Sequence, residues 1–480
     1  MTVVAVTPAA GQTRPRHPRT TAACASWIFT LTILLHALAA LYLVLWIAII
    51  TFITGPDGKI TGILWPQTTT LTYVFFVCLH VGAIGLAVVR RCRLRHRIQS
   101  KGSSDSPLVD QVPRSELDNY ADEFYIVFNL VEIACQSHQA YTLFDVLPEH
   151  SKAISYLVVV ILYSFVSPLI LFVRNTRVKT TLINLADSIF SYALSCGHPM
   201  FALVLCAFEF VFLDPNINHN NLLCTNMILL ARTQTIGDRF DYACKVAMHV
   251  GTFIALYRVT RSLELDTQSY SSITDSRQPR LSLPKLKLLR LNLYVNVAWG
   301  CLLTAVLVRS LVSGQPCPPT CVANVRPLFD DTCQCAYVNI NCKLVNITDP
   351  ISFLNTSAIG THLLYLEIRR CDLPTGLPPA ALAPFPSLEK IIVLYSHMET
   401  WDGPLPPSVM SLMIRFSHLR TIPRALHVNV PPQLVALVLE ACFIPSIPDS
   451  VIRAWSTVER LYLLNISLQA LPSSLATTLP

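Results

Sequence analysis

The pattern of apolar and polar positions changes at about residue 312. Before this point, apolar stretches recur that have the roughly 20-residue length of a transmembrane helix. They lie at 26–53, 72–89, 154–173, 189–213 and 291–312, and a weaker one at 240–257 contains Lys245. The first stretch is too long for the core of a signal peptide, so it is predicted to be a retained span that follows a polar cytosolic tail, residues 1–25.

Segment 124–144 leaves two interpretations open. Its 21 residues include Glu132, Gln136, His138 and Gln139, so it is either an amphipathic helix on the membrane surface or a seventh span whose polar side chains face the bundle. With seven spans and a cytosolic amino terminus, the inner segments hold 20 basic residues and the outer segments five. Cytosolic loops are enriched in Lys and Arg, so the charges favour an α-helical multi-pass membrane bundle of about seven helices over 26–312.

After residue 360 a second pattern recurs five times, in the form apolar-x-x-apolar-x-apolar-x-x-[C/S/N]-x-apolar. The copies start at residues 363, 388, 409, 434 and 458, so they are 25, 21, 25 and 24 residues apart, which is the period of a leucine-rich repeat. The alternating core of each copy predicts a short strand that buries one face, as with Leu366 and Ile368 in the first. Residues 358–480 are therefore predicted to form a short α/β leucine-rich-repeat solenoid.

One position of the repeat lies just after each predicted strand and is usually a small polar residue bonded to turn backbone. In the five copies it is occupied by Cys371, Ser396, Ser417, Cys442 and Ile466. Ile466 departs from the pattern, so the last copy is expected to be imperfect. Cys371 and Cys442 are interpreted as buried residues of this ladder and not as disulfide partners.

A cysteine cluster precedes the repeats, in the region 313–357. It contains Cys317, Cys321, Cys333, Cys335 and Cys342. Outside the cell these thiols are expected to form disulfides in a cap over the open face of the first repeat. With one of five left out, fifteen pairings are possible and the spacing selects none. A zinc site is the competing interpretation, but no His lies among the five, so no metal and no cofactor are predicted.

The strand residues that point away from the repeat core are predicted to line a concave face that binds an extracellular protein or peptide. Aromatic, aliphatic and Arg side chains are typical of such interfaces. The predicted ligand-binding residues are Tyr365, Ile392, Met413, Arg415, Phe416, Val438 and Tyr462. The alternative is that convex loops or a second copy of the chain cover this face.

Three N-x-[ST] tripeptides that can accept glycans begin at Asn346, Asn355 and Asn465. All three follow residue 340, in the half of the chain that the basic residues place outside the cell. We therefore expect a glycoprotein, in the plasma membrane, with its repeats extracellular.

The composition agrees with a membrane protein whose two halves differ. The chain has 480 residues, of which 52% are hydrophobic and only 14% charged, against about 25% charged in soluble domains. Residues 1–312 carry a net charge of +8 and residues 313–480 a net charge of −1. Membrane topology explains this basic excess, and no basic patch with interleaved aromatics indicates a nucleic-acid partner.

Two polar groups in the predicted spans carry candidate chemistry. His198 lies in the sequence Cys-Gly-His-Pro, where Pro199 is expected to kink the helix. His198 then either bonds to a neighbouring helix or lines a binding cavity or proton path. Glu132 needs a partner within the bilayer, and His80, His138 and His249 are the candidates.

No sequence signature of an enzyme was found. The GxxxxGK[ST], GxSxG, HExxH and kinase motifs are missing, so no catalytic residue is predicted. The predicted function is receptor-like or adhesive recognition through the repeats, and the alternative is a transporter or channel whose repeats are accessory. Any signal would pass through a recruited cytosolic signalling partner. The loop 258–290 either carries phosphosites or meets anionic lipid, or it is a solvated connector, which is the favoured interpretation.

The arrangement resembles a family of oomycete membrane proteins that carry a so-called WLGC domain. The resemblance rests on the multiple spans, the final span with AWGCLLTAVLV at 298–308, the CPPTC and CQC cysteines, and the divergent repeats. It implies spans followed by a repeat domain and no assigned chemistry. Members usually continue beyond the equivalent of Pro480, so the resemblance implies a shortened array here.

Overall fold

The computed structural model describes residues 19–52, 65–100, 117–170, 176–208, 221–269 and 283–475, and it has helices first and one sheet afterwards. The helices of the first region are α1 (Arg19–Phe52), α2 (Pro66–Ser100), α3 (Leu117–Val146), α4 (His150–Ile170), α5 (Thr176–Tyr192), α6 (His198–Phe208), α7 (Asn221–Gln234), α8 (Arg239–Ser269) and α9 (Leu283–Ser313).

Four helices of this region are long and apolar enough to cross a membrane. They contain the segments Ser26–Phe52, Pro66–Arg93, Thr181–Leu205 and Arg290–Ser313. The predicted segment 154–173 falls in α4, which contributes the shorter apolar helix His150–Val166. Segments 124–144 and 240–257 fall in α3 and α8, which carry more polar residues. The first region is therefore a helical membrane domain with four clear candidate spans.

Helix α3 packs inside the bundle. It lies against α4 and α8, and Glu132 and Gln136 are only 3% and 0% exposed. A helix on the membrane surface would instead turn these polar side chains to water. The structure thus favours the interpretation in which the polar residues of segment 124–144 face the bundle.

The expected break near Pro199 takes the form of a π turn. Residues Ala193–Gly197 form this turn, which ends where the His198 amide donates to the Ala193 carbonyl. Proline has no amide hydrogen and its ring crowds the preceding turn, so the regular hydrogen-bond ladder shifts by one residue at this point.

The second region is built on one seven-stranded sheet in which the strands follow chain order. They are β1 (Cys321–Val325), β2 (Gln334–Asn341), β3 (Tyr365–Arg369), β4 (Lys390–Leu394), β5 (Ser411–Arg415), β6 (Ala436–Glu440) and β7 (Arg460–Leu464). The β1–β2 pair is antiparallel and every later pair is parallel. Short helices α10 (Cys342–Val345), α11 (Thr356–Ile359), α12 (Pro379–Leu382) and α13 (Asp449–Ala454) lie between strands.

The alternating strand residues form the core of this region, as their pattern predicts. Leu366, Ile391, Leu412 and Leu437 are paired in register on successive strands, and each is fully buried. Their equivalent in the last strand, Leu461, is only partly buried because no described strand lies beyond β7. Each strand thus depends on its neighbour to cover its apolar face.

The residue after each repeat strand adopts a left-handed conformation that turns the chain out of the sheet. This set comprises Arg370, Tyr395, Phe416, Ala441 and Asn465, with φ between 51° and 54°. Phe416 was predicted to lie on a strand, which is wrong, because β5 ends at Arg415. Its side chain therefore belongs to the row of left-handed turn residues listed above, which we call the turn column and which lies at the carboxyl ends of the strands.

The cysteine cap contains three disulfides, Cys317–Cys333, Cys321–Cys335 and Cys342–Cys371. The expectation that one of five cysteines is left over, with Cys371 unpaired, is wrong. Cys342 follows β2 and Cys371 follows β3, and the parallel register of these strands brings their Cα atoms to 5.0 Å. Cys442 is a free buried thiol beside Ser417, as expected of a ladder residue.

Candidate functional site

The strand sheet docks on the helical domain through α7. Arg232 of α7 donates to Glu389 Oε1 at 2.7 Å, and both side chains are mostly buried. Leu229, one turn earlier in α7, packs against Val325 and Ala336 of β1 and β2. A largely buried ion pair beside an apolar contact fixes the position of the sheet relative to the bundle.

Glu367 is at the centre of the polar part of this contact. It is fully buried, although it points to the face predicted to bind ligand. It accepts hydrogen bonds from Asn221 of α7, from the Tyr337 hydroxyl and from Arg369. Burial, and then the adjacent Glu367 carboxylate, raise the pKa of Tyr337 well above its usual value. The phenol therefore stays protonated and keeps donating.

The predicted concave face is consequently divided into a covered part and an open part. Tyr365, Ile392 and Val438 are only 5%, 3% and 7% exposed, so their prediction as ligand contacts is corrected by the structure. Tyr365 lies where α7 meets the sheet, beside Tyr337. Ile392 and Val438 pair in register with Met413 between them, and neighbouring strands are close enough for such side chains to cover one another.

The open face, by which we mean Met413, Arg415, Glu440, Tyr462 and Leu464, lies on β5 to β7. Tyr462 is 50% and Leu464 46% exposed. Arg415 and Glu440 form a 2.7 Å ion pair that is partly exposed. The face therefore combines apolar, aromatic and charged groups on a rigid sheet, away from the bundle.

An aromatic stack borders the open face along the turn column. The rings of Tyr395 and Phe416 are parallel, with centroids 4.5 Å apart, and both side chains are exposed. The Arg370 guanidinium lies 5.8 Å from the centroid of the Tyr395 ring. Phe416 thus remains available for contact, although from a turn and not from a strand.

A cavity of about 410 Å³ lies at the junction between bundle and sheet. Its volume falls in the range of small-molecule pockets. Charged and titratable residues dominate its polar lining: His138, Asp145, Arg232, Asp238, Asp241, His362 and Glu389. His362 approaches Asp145 to 3.4 Å. The bond to Asp145, against the effect of burial, raises the pKa of His362 above its usual value.

The histidines and Glu132 of the bundle have other partners than the sequence predicts. Glu132 is bonded by Gln136 at 3.2 Å and by none of His80, His138 and His249 in the described structure, so that expectation is wrong. Its side chain reaches along its own helix, which the spacing of residues 132 and 136 would have allowed one to propose.

His198 is bonded to the neighbouring helix α4. Its Nε2 lies 3.0 Å from Ser155 Oγ and 3.0 Å from the Lys152 carbonyl. It also lines a cavity of about 30 Å³ with His249 and Gln139, enough space for one or two water molecules. The two interpretations of His198 are therefore compatible.

The three predicted glycan acceptors Asn346, Asn355 and Asn465 are exposed on the sheet region. Asn346 and Asn465 lie at left-handed turns. The Asn355 side-chain oxygen accepts from the Ser357 amide at 3.0 Å and caps α11, which leaves its amide nitrogen pointing away from that bond. Glycosylation at all three is sterically compatible with the fold.

The cap cysteines show no separate metal chemistry among the residues described. Cys317, Cys321 and Cys333 have ligand atoms within 4.8 Å of one another, close enough to hold an ion. Each is in a disulfide, however, and a disulfide sulfur is not the thiolate that zinc requires.

Sequence reasoning missed α7 as a docking element. Its residues Asn221 and Arg232 belong to no motif, and their partners Glu367 and Glu389 lie more than 140 positions away. The available signal was weak: Arg232 is one of two basic residues in the segment 214–239, and Glu389 is a carboxylate within an apolar repeat.

No protein family, no curated protein and no solved structure matches this chain.

Proposed function

We propose that this chain is a seven-span plasma-membrane protein whose extracellular leucine-rich-repeat solenoid recognises a protein or peptide ligand without catalysis of its own. The open face carries this proposal. Half-exposed Tyr462 and Leu464 of β7 lie beside a charged pair on β5 and β6, in a sheet that the bundle holds in place. Rigid apolar anchors surrounded by polar groups are the usual energetic centres of protein interfaces.

The alternation of helix directions supports seven spans. Thr72 at the start of α2 bonds to Tyr242 at the start of α8 at 2.7 Å, and Asp145 at the end of α3 lies beside His362 of the sheet region. At the other end of the bundle, Arg91 in α2 donates to Ser26 in α1 at 3.0 Å. In these contacts the starts of α2 and α8 and the end of α3 share one end of the bundle, and the end of α2 meets the start of α1 at the other, as expected of helices that cross in alternate directions.

The sidedness follows from charge. The ends remote from the sheet adjoin the Arg-rich segments 90–101 and 174–179, which the positive-inside tendency assigns to the cytosol. The sheet, with its disulfides and exposed Asn-x-Ser/Thr sites, then faces the oxidising exterior. A cytosolic signalling partner would bind the basic loop 258–290, of which residues 270–282 lie outside the described residues.

The test replaces two open-face residues in the full-length protein on cells. Individual purified secreted proteins are screened for surface binding, and each binder is titrated on wild type, Tyr462→Asp, Leu464→Asp and Val428→Asp. Val428 is 53% exposed but lies in the loop region between strands, so it is the matched control. A charge buried at the centre of an interface is unfavourable, so Tyr462→Asp and Leu464→Asp are expected to weaken binding at least tenfold and Val428→Asp is not.

Two results would overturn the proposal. One is a binder with equal affinity for all four proteins, which would move recognition away from the open face. The other is a tag after residue 480 that antibodies reach only in permeabilised cells, which would place the repeats inside.

A further inference from the structure

Two carboxyl groups lie deep in the helical bundle, apart from the repeat face. Glu132 of α3 is 3% exposed and Asp187 of α5 is 6% exposed. Burying an ionised carboxylate is strongly unfavourable unless opposite charge or several hydrogen bonds compensate. Ionisable groups within spans are therefore functional candidates.

Gly251 of α8 makes the space that Glu132 occupies. A Cβ atom at residue 251 would lie 3.1 Å from the Glu132 carboxyl carbon and 2.9 Å from the Phe128 ring. Helix α8 packs against both α3 and α5, so the missing side chain lets α8 lie close to Glu132 between the helices that carry the two carboxyls. Asp187 is the negative group that acts on Glu132 in this arrangement.

A chain of hydrogen bonds holds Asp187. The Tyr163 hydroxyl donates to Asp187, and Asn129 Nδ2 donates to Tyr163 at 2.9 Å. Asn296 of α9 then donates to Asn129 Oδ1 at 3.3 Å. The network therefore joins four helices around the carboxyl.

Oxygen atoms without a donor also line the site. Gln136 uses its Nε2 to bond Glu132, and its Oε1 has no hydrogen-bond partner among the described residues. Ser191 Oγ faces the Glu132 carboxyl, and it receives no hydrogen bond from the described residues. Gln136 is fully buried and Ser191 is 1% exposed. Carboxylate, amide and hydroxyl oxygens are the donor set that hard cations prefer.

When both carboxyls are ionised, the charges of the described residues leave the site one positive charge short. Arg258 of α8 is the cation that acts on Asp187. Among the residues that the structure describes, the other titratable groups facing the pair are Tyr156 and Tyr163 of α4 and the Cys135 thiol of α3 itself, all neutral when protonated. Two carboxylates against one guanidinium give a net charge of −1.

We propose that Glu132 and Asp187, with Gln136 and Ser191, form an intramembrane binding site for one monovalent cation, a proton or Na⁺. One such ion neutralises the cluster, and the oxygen donors are of the kind that both ions bind. This site is independent of ligand recognition by the repeats.

A polar stripe on α3 connects the site to the junction cavity. Asn129, Glu132, Gln136 and Gln139 recur at helical spacing on one side of α3 and are all buried. Gln139 bonds to Asp241 at 2.5 Å, and Asp241 lines the junction cavity. Seven residues of helix, about 10 Å, separate Glu132 from Gln139. The stripe gives the cation a polar route toward the side of the sheet.

The experiment measures thermal unfolding of the purified full-length protein in detergent. NaCl is titrated against choline chloride at constant ionic strength, at several values between about pH 5 and pH 8. The variant is Glu132→Gln, which keeps shape and loses charge, and the control is Asp402→Asn, an exposed carboxylate. Ion binding to the native state raises its unfolding temperature.

A sodium site predicts that Na⁺ raises the wild-type unfolding temperature and that Glu132→Gln increases the half-maximal Na⁺ concentration at least tenfold. A proton site predicts no Na⁺ effect, but a wild-type gain on acidification that exceeds the gain of Glu132→Gln. Asp402→Asn behaves as wild type in both cases. If wild type and Glu132→Gln respond equally to both ions, the proposal is wrong. Should Glu132→Gln not fold, Asp187→Asn, which also removes one carboxyl group, is scored by the same criteria.

Discussion

At the scale of single residues, the junction shows how neighbours change a side chain's chemistry. His362 is partly exposed, and it meets Asp145 from the helical domain while Asp330 adds a second negative charge. The pKa of His362 is raised chiefly by the bond to Asp145. The imidazolium form therefore links the sheet to the end of α3, and the strength of this link depends on pH.

We expect this link to be complete below the unfolded pKa of about 6.5 and to be lost as pH rises through the higher folded value. The loss should be below about 1 kcal/mol, because the pair is partly exposed and solvent screens it. Hydrogen exchange of β3 and of the end of α3, followed from acid to neutral pH, measures it. His362→Gln should remove the pH dependence, and an unchanged profile would contradict the assignment.

At the scale of elements, each strand of the sheet region is held by its neighbours, and the first repeat has an additional covalent link. The Cys342–Cys371 disulfide joins the turns after β2 and β3 across 29 positions. This bond ties the cap to the first repeat, whereas the predicted set of cap cysteines ended at Cys342. Cys442 occupies the equivalent place three strands later as a free thiol.

Cys371→Ser is expected to destabilise the sheet region by roughly 2–4 kcal/mol, because the loop between the two cysteines is no longer closed in the unfolded chain. Cys442→Ser keeps a small polar group beside Ser417 and should cost less. Thermal unfolding of the full chain under non-reducing conditions compares them. Equal losses of stability in the two variants would refute the pairing. So would ready alkylation of Cys371 in the wild-type protein, because only a free thiol reacts.

At the scale of the whole molecule, the two regions form one unit through α7. The Arg232–Glu389 pair is mostly shielded from solvent, and removing one partner from such a pair leaves an uncompensated charge. The docking also determines the function we propose, since α7 covers the Tyr365 end of the face and leaves the Tyr462 end open.

Charge reversal tests the docking. Arg232→Glu and Glu389→Arg are each expected to weaken the junction by about 3–5 kcal/mol, and the double exchange should recover most of the loss. Arg309→Glu, which breaks the exposed pair with Asp331, should cost under about 1 kcal/mol. Protease sensitivity of the segment between α9 and β1 is the measurement. Without recovery in the double variant, the pair would not be the docking contact.

Periodicity alone was enough to predict the long apolar helices, the five repeat strands and their buried positions, because those features arise from residues close together in the chain. Leu366 and its equivalents needed no knowledge of distant segments. The Cys342–Cys371 bond, the covering of Tyr365 and Glu367 by α7, and the surroundings of Glu132 depend on contacts between segments up to 146 positions apart. Such contacts are selected by how whole elements pack, and the pattern within each element carries no record of which partner it meets.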